Sequence, residues 1–130
     1  ANGYIRYEQW DLAKKLNLNV FTLDDVRGQG ITNIARRAAD LAGSDCDAIY
    51  LSIDFDVIDG GYVAATGSPS FDGLTNVELL KAIDVLGRSK VGTMDLVGLN
   101  PNIEMLAATG QRLAAWIIIR LITHEFMQWD

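Results

Sequence analysis

Three aspartates, Asp54, Asp56 and Asp59, lie within six residues in the stretch YLSIDFDVID at positions 50–59. The residues before them read as a buried strand, on which side chains two positions apart point the same way. Asp54 and Asp56 are therefore expected side by side, at a repulsive cost of about 3 kcal/mol. A shared proton, an arginine or a divalent cation would offset that repulsion, and carboxylate oxygens are preferred ligands of Mg²⁺, Mn²⁺ and Ca²⁺.

Other interpretations of the same pattern stay open at this point. Aspartates are common where a strand turns, so the three residues could simply cap the loop that follows. The D-x-D spacing also resembles the nucleophile strand of haloacid-dehalogenase-like phosphatases, although Ile58 occupies the last position of that motif. Asp95, at the end of the next predicted strand, could join Asp54 and Asp56 in one site.

Short β-like runs alternate with helical segments along the chain. Apolar residues at a period near 3.6 predict helices, and short apolar or alternating runs predict strands. Strands are predicted at 3–6, 18–23, 48–57 and 91–99, and helices at 8–17, 31–42, 75–87 and 103–126. Thr75 followed by Glu78 forms a capping box that opens the third helix. The alternation predicts a parallel sheet covered by helices on both faces, and such sheets bind ligands at the carboxyl ends of their strands.

Composition limits the possible partners and the compartment. The 130 residues carry a net charge of −6 and no cluster of basic and aromatic residues, which argues against nucleic acid as a partner. Cys46 is the single cysteine and His124 the single histidine, so neither a disulfide nor a Cys/His zinc site is expected, and the cytoplasm is the expected compartment. The apolar run LAAWIIIRLI is too short to span a bilayer. One domain over residues 1–130, without an internal boundary, is expected.

The context of the aspartates adds a family resemblance. The segments SIDFDVIDGGYVAATGSPSFDGLT and MDLVGLNP resemble the carboxyl-terminal half of the ureohydrolase family, which includes arginase and agmatinase. The matching positions are Ser52, Asp54, Asp56, Asp59, Thr66, Gly67, Ser68, Pro69, Gly73, Leu74, Thr75, Asp95, Val97, Asn100 and Pro101. Upstream, GYIR and LNVFTLDDVRGQGI resemble the agmatinase branch, so the resemblance extends over essentially the whole chain.

This resemblance implies a three-layer α/β/α fold with a mainly parallel sheet, present here only in part. It also implies two Mn²⁺ ions bridged by water or hydroxide, which attacks a guanidinium carbon so that urea is released. On the matching motif, Asp54 and Asp56 are the metal ligands of this half, while Asp59, Thr66 and Gly67 support the loop. A small guanidino compound is then the substrate, and a homotrimer or homohexamer is the expected assembly.

Three departures from the family pattern change these expectations. The histidine and the D-x-H-x-D segment that supply the other metal ligands are absent from the 130 residues, so the chain alone is expected to be inactive. Gly98 stands where the family has a glutamate that pairs with the guanidinium, so Gly98→Glu is expected to lower KM for such a substrate. Gly60 replaces a proline and is expected to loosen the loop. An inactive family member or a truncated product, with a structural or regulatory role, is the alternative.

Overall fold

Five α-helices and two β-strands make up the part of the chain that this computed structural model describes, residues 5–104 and 108–126. The helices are α1 (Tyr7–Lys15), α2 (Leu23–Gln29), α3 (Ile31–Gly43), α4 (Asn76–Leu86) and α5 (Thr109–Phe126), and the strands are β1 (Ile49–Asp54) and β2 (Val91–Val97). A 3₁₀ turn, Phe55–Val57, follows β1 directly. Helix α4 therefore connects two neighbouring strands, which is the βαβ arrangement of an α/β fold.

Strands β1 and β2 are hydrogen-bonded to each other in parallel, as the alternation of elements predicts. Ser52 lies beside Asp95, and Asp54, the last residue of β1, lies beside Val97. Near the start of the pair the register shifts by one residue, so Gly92 is an extra residue of β2 that forms a bulge. The carboxyl ends of both strands meet at one edge of the sheet, where a ligand site is expected.

The core lies on one face of the sheet, between the strands and helices α4 and α5. Alternation along β1 places Ile53 in this core, whereas Tyr50, Ser52 and Asp54 are exposed on the opposite face. The core side chains are Ile53, Phe55, Ile58, Val63, Ala65, Leu79, Ile83, Leu113, Ala114, Ile117 and Leu121. Helix α3 packs on α4 beside the core. The sequence predicts helices on both faces of the sheet. The described residues cover the face that carries Ile53 and leave the face that carries Tyr50, Ser52 and Asp54 exposed.

The strand predicted at residues 18–23 is wrong. Thr22 and Asp25 form a capping box, in which each side chain accepts the backbone N–H of the other (3.2 and 2.7 Å), and helix α2 starts directly after Thr22. Upstream, Leu18 still belongs to the turn that closes α1, because its N–H bonds the end of that helix (2.9 Å). The residues that remain between the two helices, 19–21, are fewer than an ordinary strand needs.

Helix α5 begins at Thr109 instead of at the predicted residue 103. The Glu104 carboxylate accepts the N–H of Gly110 (2.8 and 3.0 Å) and the hydroxyl of Thr109, and so satisfies donors of the first turn. Residues 105–107, like residues 3 and 4 of the first predicted strand, lie outside the described part of the chain. None of the described helices is both long enough and apolar enough to cross a membrane.

Candidate metal centre

Asp54 and Asp56 come together through a tight turn and not along an extended strand. Strand β1 ends at Asp54, and Asp56 lies in the following 3₁₀ turn. The backbone N–H of Asp56 donates to Oδ1 of Asp54 (2.9 Å), an aspartate turn that holds both residues at the end of β1. Phe55 between them is fully buried and anchors the turn in the core. The strand predicted at 48–57 is therefore wrong after Asp54.

The Asp56 carboxylate is held by the loop that follows. The hydroxyl of Thr66 donates to Oδ1 of Asp56, and Oγ of Ser70 donates to the Asp56 carbonyl oxygen (2.6 Å). Thr66 is only 2% exposed, and its hydroxyl also accepts the N–H of Ser68 (3.2 Å). Because a buried hydroxyl with both bonds made has little freedom, Thr66 fixes the orientation of Asp56.

Asp59 is bonded to the backbone of its own loop. Its Oδ1 accepts the N–H of Gly61 (2.8 Å), and its Oδ2 accepts the N–H of Gly73 (3.2 Å). Both bonds hold the pKa of Asp59 below its usual value, and the bond from Gly61 has the larger effect. Only glycine fits at position 73, because a Cβ would lie 2.7 Å from the carbonyl carbon of Ile58. Asp59 thus ties both ends of the loop together, which are the contacts that a loop-supporting residue makes.

Two other glycines of the loop differ in their surroundings. The N–H of Gly60 donates to the carbonyl oxygen of Ser70 (2.9 Å), a bond that proline could not make. The glycine therefore adds a bond across the loop, where the sequence suggested only a looser chain. Gly67 is exposed, and a Cβ there would meet no described atom within 4 Å. No contact in the described chain explains a supporting role for Gly67.

Asp95 lies on the open face of the sheet, beside Tyr50 and Ser52. The Tyr50 phenol donates to Oδ2 of Asp95. This bond lowers the pKa of Asp95, and the Ser52 hydroxyl lowers it further by a smaller amount. The prediction that Asp95 joins the two carboxylates of the turn is wrong, since the described part of the chain contains no group of three or more Asp, Glu, His or Cys residues able to hold a metal.

Gly98 follows β2 and lies against both carboxylates of the turn. Its φ is +77°, in the left-handed region that favours glycine. A Cβ at this position would overlap Oδ1 of Asp54 and would lie 3.4 Å from Oδ1 of Asp56. The expectation that Gly98→Glu lowers KM stays a prediction, and the structure adds that a side chain at this position must first displace the Asp54 carboxylate.

The free oxygens of the turn fit manganese in chemical type and supply part of the ligand set. Oδ2 of Asp54 and Oδ2 of Asp56 take no hydrogen bond from any described residue. Carboxylate oxygens are hard donors of the kind that Mn²⁺ takes. Hard divalent cations take about six ligands, so these two carboxylates form one side of a site. The other ligands would have to come from outside the described residues.

Two contacts of this region are missing from the sequence-based prediction. One is the bond from Tyr50 to Asp95, and the other is the bond from Ser70 to the Asp56 backbone. Alternation along β1 places Tyr50 on the Asp54 face, so the parallel register would have revealed the first contact. The path of an irregular loop has no such period, and the second contact therefore had no signal in the sequence.

Comparison with known proteins identifies the family. The sequence profile of the arginase family matches residues 3–123. The chain belongs to the arginase family. This membership confirms the ureohydrolase resemblance and contradicts the phosphatase-like interpretation of the D-x-D pattern.

Three similar proteins illustrate the match. A formimidoylglutamase of Halalkalibacterium halodurans is 33% identical over 113 residues, which cover 85% of this chain and 34% of the relative. An arginase of Staphylococcus aureus is 33% identical over 93 residues, which cover 70% of this chain and 31% of the relative. The crystal structure of a Bacillus subtilis formimidoylglutamase superposes with a TM-score of 0.87 at 22% identity, over 96% of this chain and 39% of that one. The fold is thus arginase-like α/β, and the chain spans about a third of the length of the curated relatives that it matches.

Proposed function

We propose that the complete protein carrying this chain is a manganese-dependent hydrolase that cleaves a linear C–N bond of a guanidino or formimidoyl compound. The observation that supports this best is the turn after β1, where Asp54 and Asp56 each keep one carboxylate oxygen free in a chain of the arginase family. The 130-residue chain alone is expected to be inactive, because its described residues present only part of a ligand set.

The residues of this chain bind and orient in the proposed reaction. Bound manganese supplies a nucleophile at neutral pH by lowering the pKa of a water molecule. Asp54 and Asp56 would hold the ion through their free Oδ2 atoms. Thr66 keeps the Asp56 carboxylate in one orientation, and Asp59 keeps the loop that carries Thr66 closed. Loss of either support should therefore weaken metal binding without removing a ligand.

The released product distinguishes the two possible substrate classes. Water cleaves a guanidino group to an amine and urea, and it cleaves a formimidoyl group to an amine and formamide. An agmatine-like substrate follows from the resemblance of the upstream segments to agmatinase, whereas the similar proteins carry the names formimidoylglutamase and arginase. Gly98 offers no carboxylate to the cationic group of the substrate, so another part of the protein would have to bind that group.

The proposal is tested by measuring the manganese content and the hydrolytic activity of the complete polypeptide. The same two measurements are made on the Asp54→Ala and Asp56→Ala variants. Agmatine, arginine and formimidoylglutamate are offered in parallel, and urea and formamide are measured separately. Each variant should lose manganese and turnover together by more than about 100-fold, because it removes a direct ligand, whereas an outer partner of a ligand is worth about 10- to 100-fold.

Asp47→Ala is the matched control for both variants. Asp47 is an exposed aspartate that precedes β1, at the opposite end of the strand from the turn. Its loss should leave manganese content and turnover unchanged. If Asp54→Ala keeps its full metal content and activity, the assignment of Asp54 as a ligand fails.

A second candidate is a family member that has lost catalysis and has a structural or regulatory role. Gly98 favours this candidate, because it removes the carboxylate that the family resemblance places against the guanidinium. The complete wild-type protein would then bind manganese but hydrolyse none of the three compounds. Turnover of any one of them contradicts this candidate.

A further inference from the structure

A groove runs along the packed helices α3 and α4 and reaches the amino ends of the strands. Its volume is about 700 Å³, within the range of about 300 to 1,000 Å³ that is usual for small-molecule sites. Gly43, the last residue of α3, and Lys90, the residue before β2, both line it. Asp54 and Asp56 lie at the other end of the strands, so the groove is separate from the candidate metal centre.

Four basic side chains line this groove, Arg36 from α3, Lys81 from α4, and Arg88 and Lys90 from the connection to β2. All four residues are exposed. Lys90 is engaged, since its Nζ donates to two backbone carbonyl oxygens near the end of α3 (3.0 Å each). The Arg36 side chain makes a single long bond to Asn33 (3.4 Å), and the side chains of Lys81 and Arg88 make no hydrogen bond or ion pair with any described residue.

Two carboxylates also line the groove, and one of them is already paired. Asp84 accepts a bond from Nη1 of Arg120 (2.6 Å) and lies 3.1 Å from Nε2 of His124, both on α5. Asp40 of α3 forms no ion pair within the described chain. The lining therefore has four cationic groups and two carboxylates in a chain whose net charge is −6. Such a local excess of positive charge attracts anions.

We propose that this groove binds a small multivalent anion, a metabolite that carries phosphate or carboxylate groups. The guanidinium groups of Arg36 and Arg88 present paired N–H donors that suit either group, and Lys81 adds another unpaired positive charge. Because Arg36 belongs to α3 and Lys81 to α4, one anion would bridge the two helices. Because such an anion would bind the folded protein and not the unfolded chain, it should raise the melting temperature of the protein.

Isothermal titration calorimetry of the complete protein tests this proposal. Inorganic pyrophosphate and citrate are titrated separately at constant ionic strength. Wild type should bind at least one of the two saturably, with a dissociation constant below about 1 mM. The preferred anion distinguishes phosphate from carboxylate chemistry. The double variant Lys81→Gln/Arg88→Gln should bind at least about tenfold more weakly, since it removes two charge-assisted contacts.

Lys14→Gln/Lys15→Gln is the matched control, because it removes two exposed charges from α1, outside the groove. The control should keep wild-type affinity, and hydrolysis assayed without added anion should be equal in all three proteins. The proposal is overturned if neither anion binds wild type up to about 10 mM, or if the control weakens binding as much as the groove variant does. It is also overturned if Lys81→Gln/Arg88→Gln keeps full anion affinity and instead changes the oligomeric state, which would show that a second copy covers the groove.

Discussion

The two ends of the parallel strand pair have opposite chemical character. At the carboxyl ends, Asp54 and Asp56 keep free oxygens in a turn that hydrogen bonds hold in place. At the amino ends, Lys81 and Arg88 line an open groove, and their side chains have no partner among the described residues. One end therefore presents carboxylate oxygens, and the other presents an excess of cationic side chains.

The difference between the ends lies in how firmly the charges are held. The carboxyl-end turn is fixed by the buried hydroxyl of Thr66 and by the fully buried ring of Phe55. The amino-end cations are on long exposed side chains that can move. A fixed set of ligands selects for one geometry, whereas mobile cations accept anions of several shapes. The comparison predicts selective binding at the carboxyl end and tolerant binding at the amino end.

The largest effect on this comparison is expected from Gly98→Ala. The left-handed backbone and the overlap with Asp54 should lower the free energy of unfolding by about 1 to 3 kcal/mol and should also weaken manganese binding. Denaturant unfolding of the complete protein measures the first effect, and metal titration measures the second. Gly67→Ala is the control, since a Cβ there meets nothing, and should change stability by no more than about 0.5 kcal/mol. Equal losses in both variants would show that Asp54 does not constrain Gly98.

A smaller effect, dependent on pH, is expected from Asp59→Asn. The pKa of Asp59 is lower in the folded chain than in the unfolded chain, because Gly61 and Gly73 donate to its carboxylate. Its stabilising contribution is therefore complete above the ordinary aspartate pKa and is lost as the pH falls through the lower, folded value. Wild type should melt a few degrees above Asp59→Asn at neutral pH, and the two melting temperatures should converge in acid. A gap that persists unchanged in acid, or an equal gap for Asp47→Asn, would contradict the charge-based explanation.

The smallest effect is expected at the amino end, from Lys90→Met. This change keeps most of the side-chain stem but removes the bonds to the carbonyl oxygens of Gly43 and Cys46, at and after the end of α3. The free energy of unfolding should fall by about 0.5 kcal/mol. Lys81→Met, which removes an unpaired cation from the same groove, is the control and should leave stability unchanged. Equal destabilisation by both changes would show that the Lys90 bonds add nothing.

Much of the fold could be predicted because local signals and tertiary packing agree. The capping box of Thr75 and Glu78 starts α4 as the sequence indicates, and the apolar alternation of β1 separates its buried and open faces. The segment at 18–23 misled because its apolar residues are compatible with a strand. A second capping box, Thr22 with Asp25, decides instead for a helix, and the spacing of these two residues was visible in the sequence.

The candidate site was predictable in its residues and not in its geometry. The family motif identifies Asp54 and Asp56 as candidates, but the 3₁₀ turn between them depends on burying Phe55 and on the cap from Asp54. Gly98 was interpretable only as a missing glutamate, since its positive φ is set in the folded backbone and its approach to Asp54 joins two segments far apart in sequence. Such contacts have no period or local motif that a sequence pattern could report.

The bulge at Gly92 has a consequence for changes in chain length. Gly92 gives β2 one residue more than β1 pairs with, so it acts as a spare residue at the start of the strand. A single deletion there would make the ladder regular and would leave Met94 facing the core and Asp95 facing away from it. An insertion has no such reserve, because one further residue would turn every following side chain to the opposite face and would carry Asp95 into the core. Across related sequences and engineered variants, the start of β2 should therefore tolerate shortening far better than lengthening.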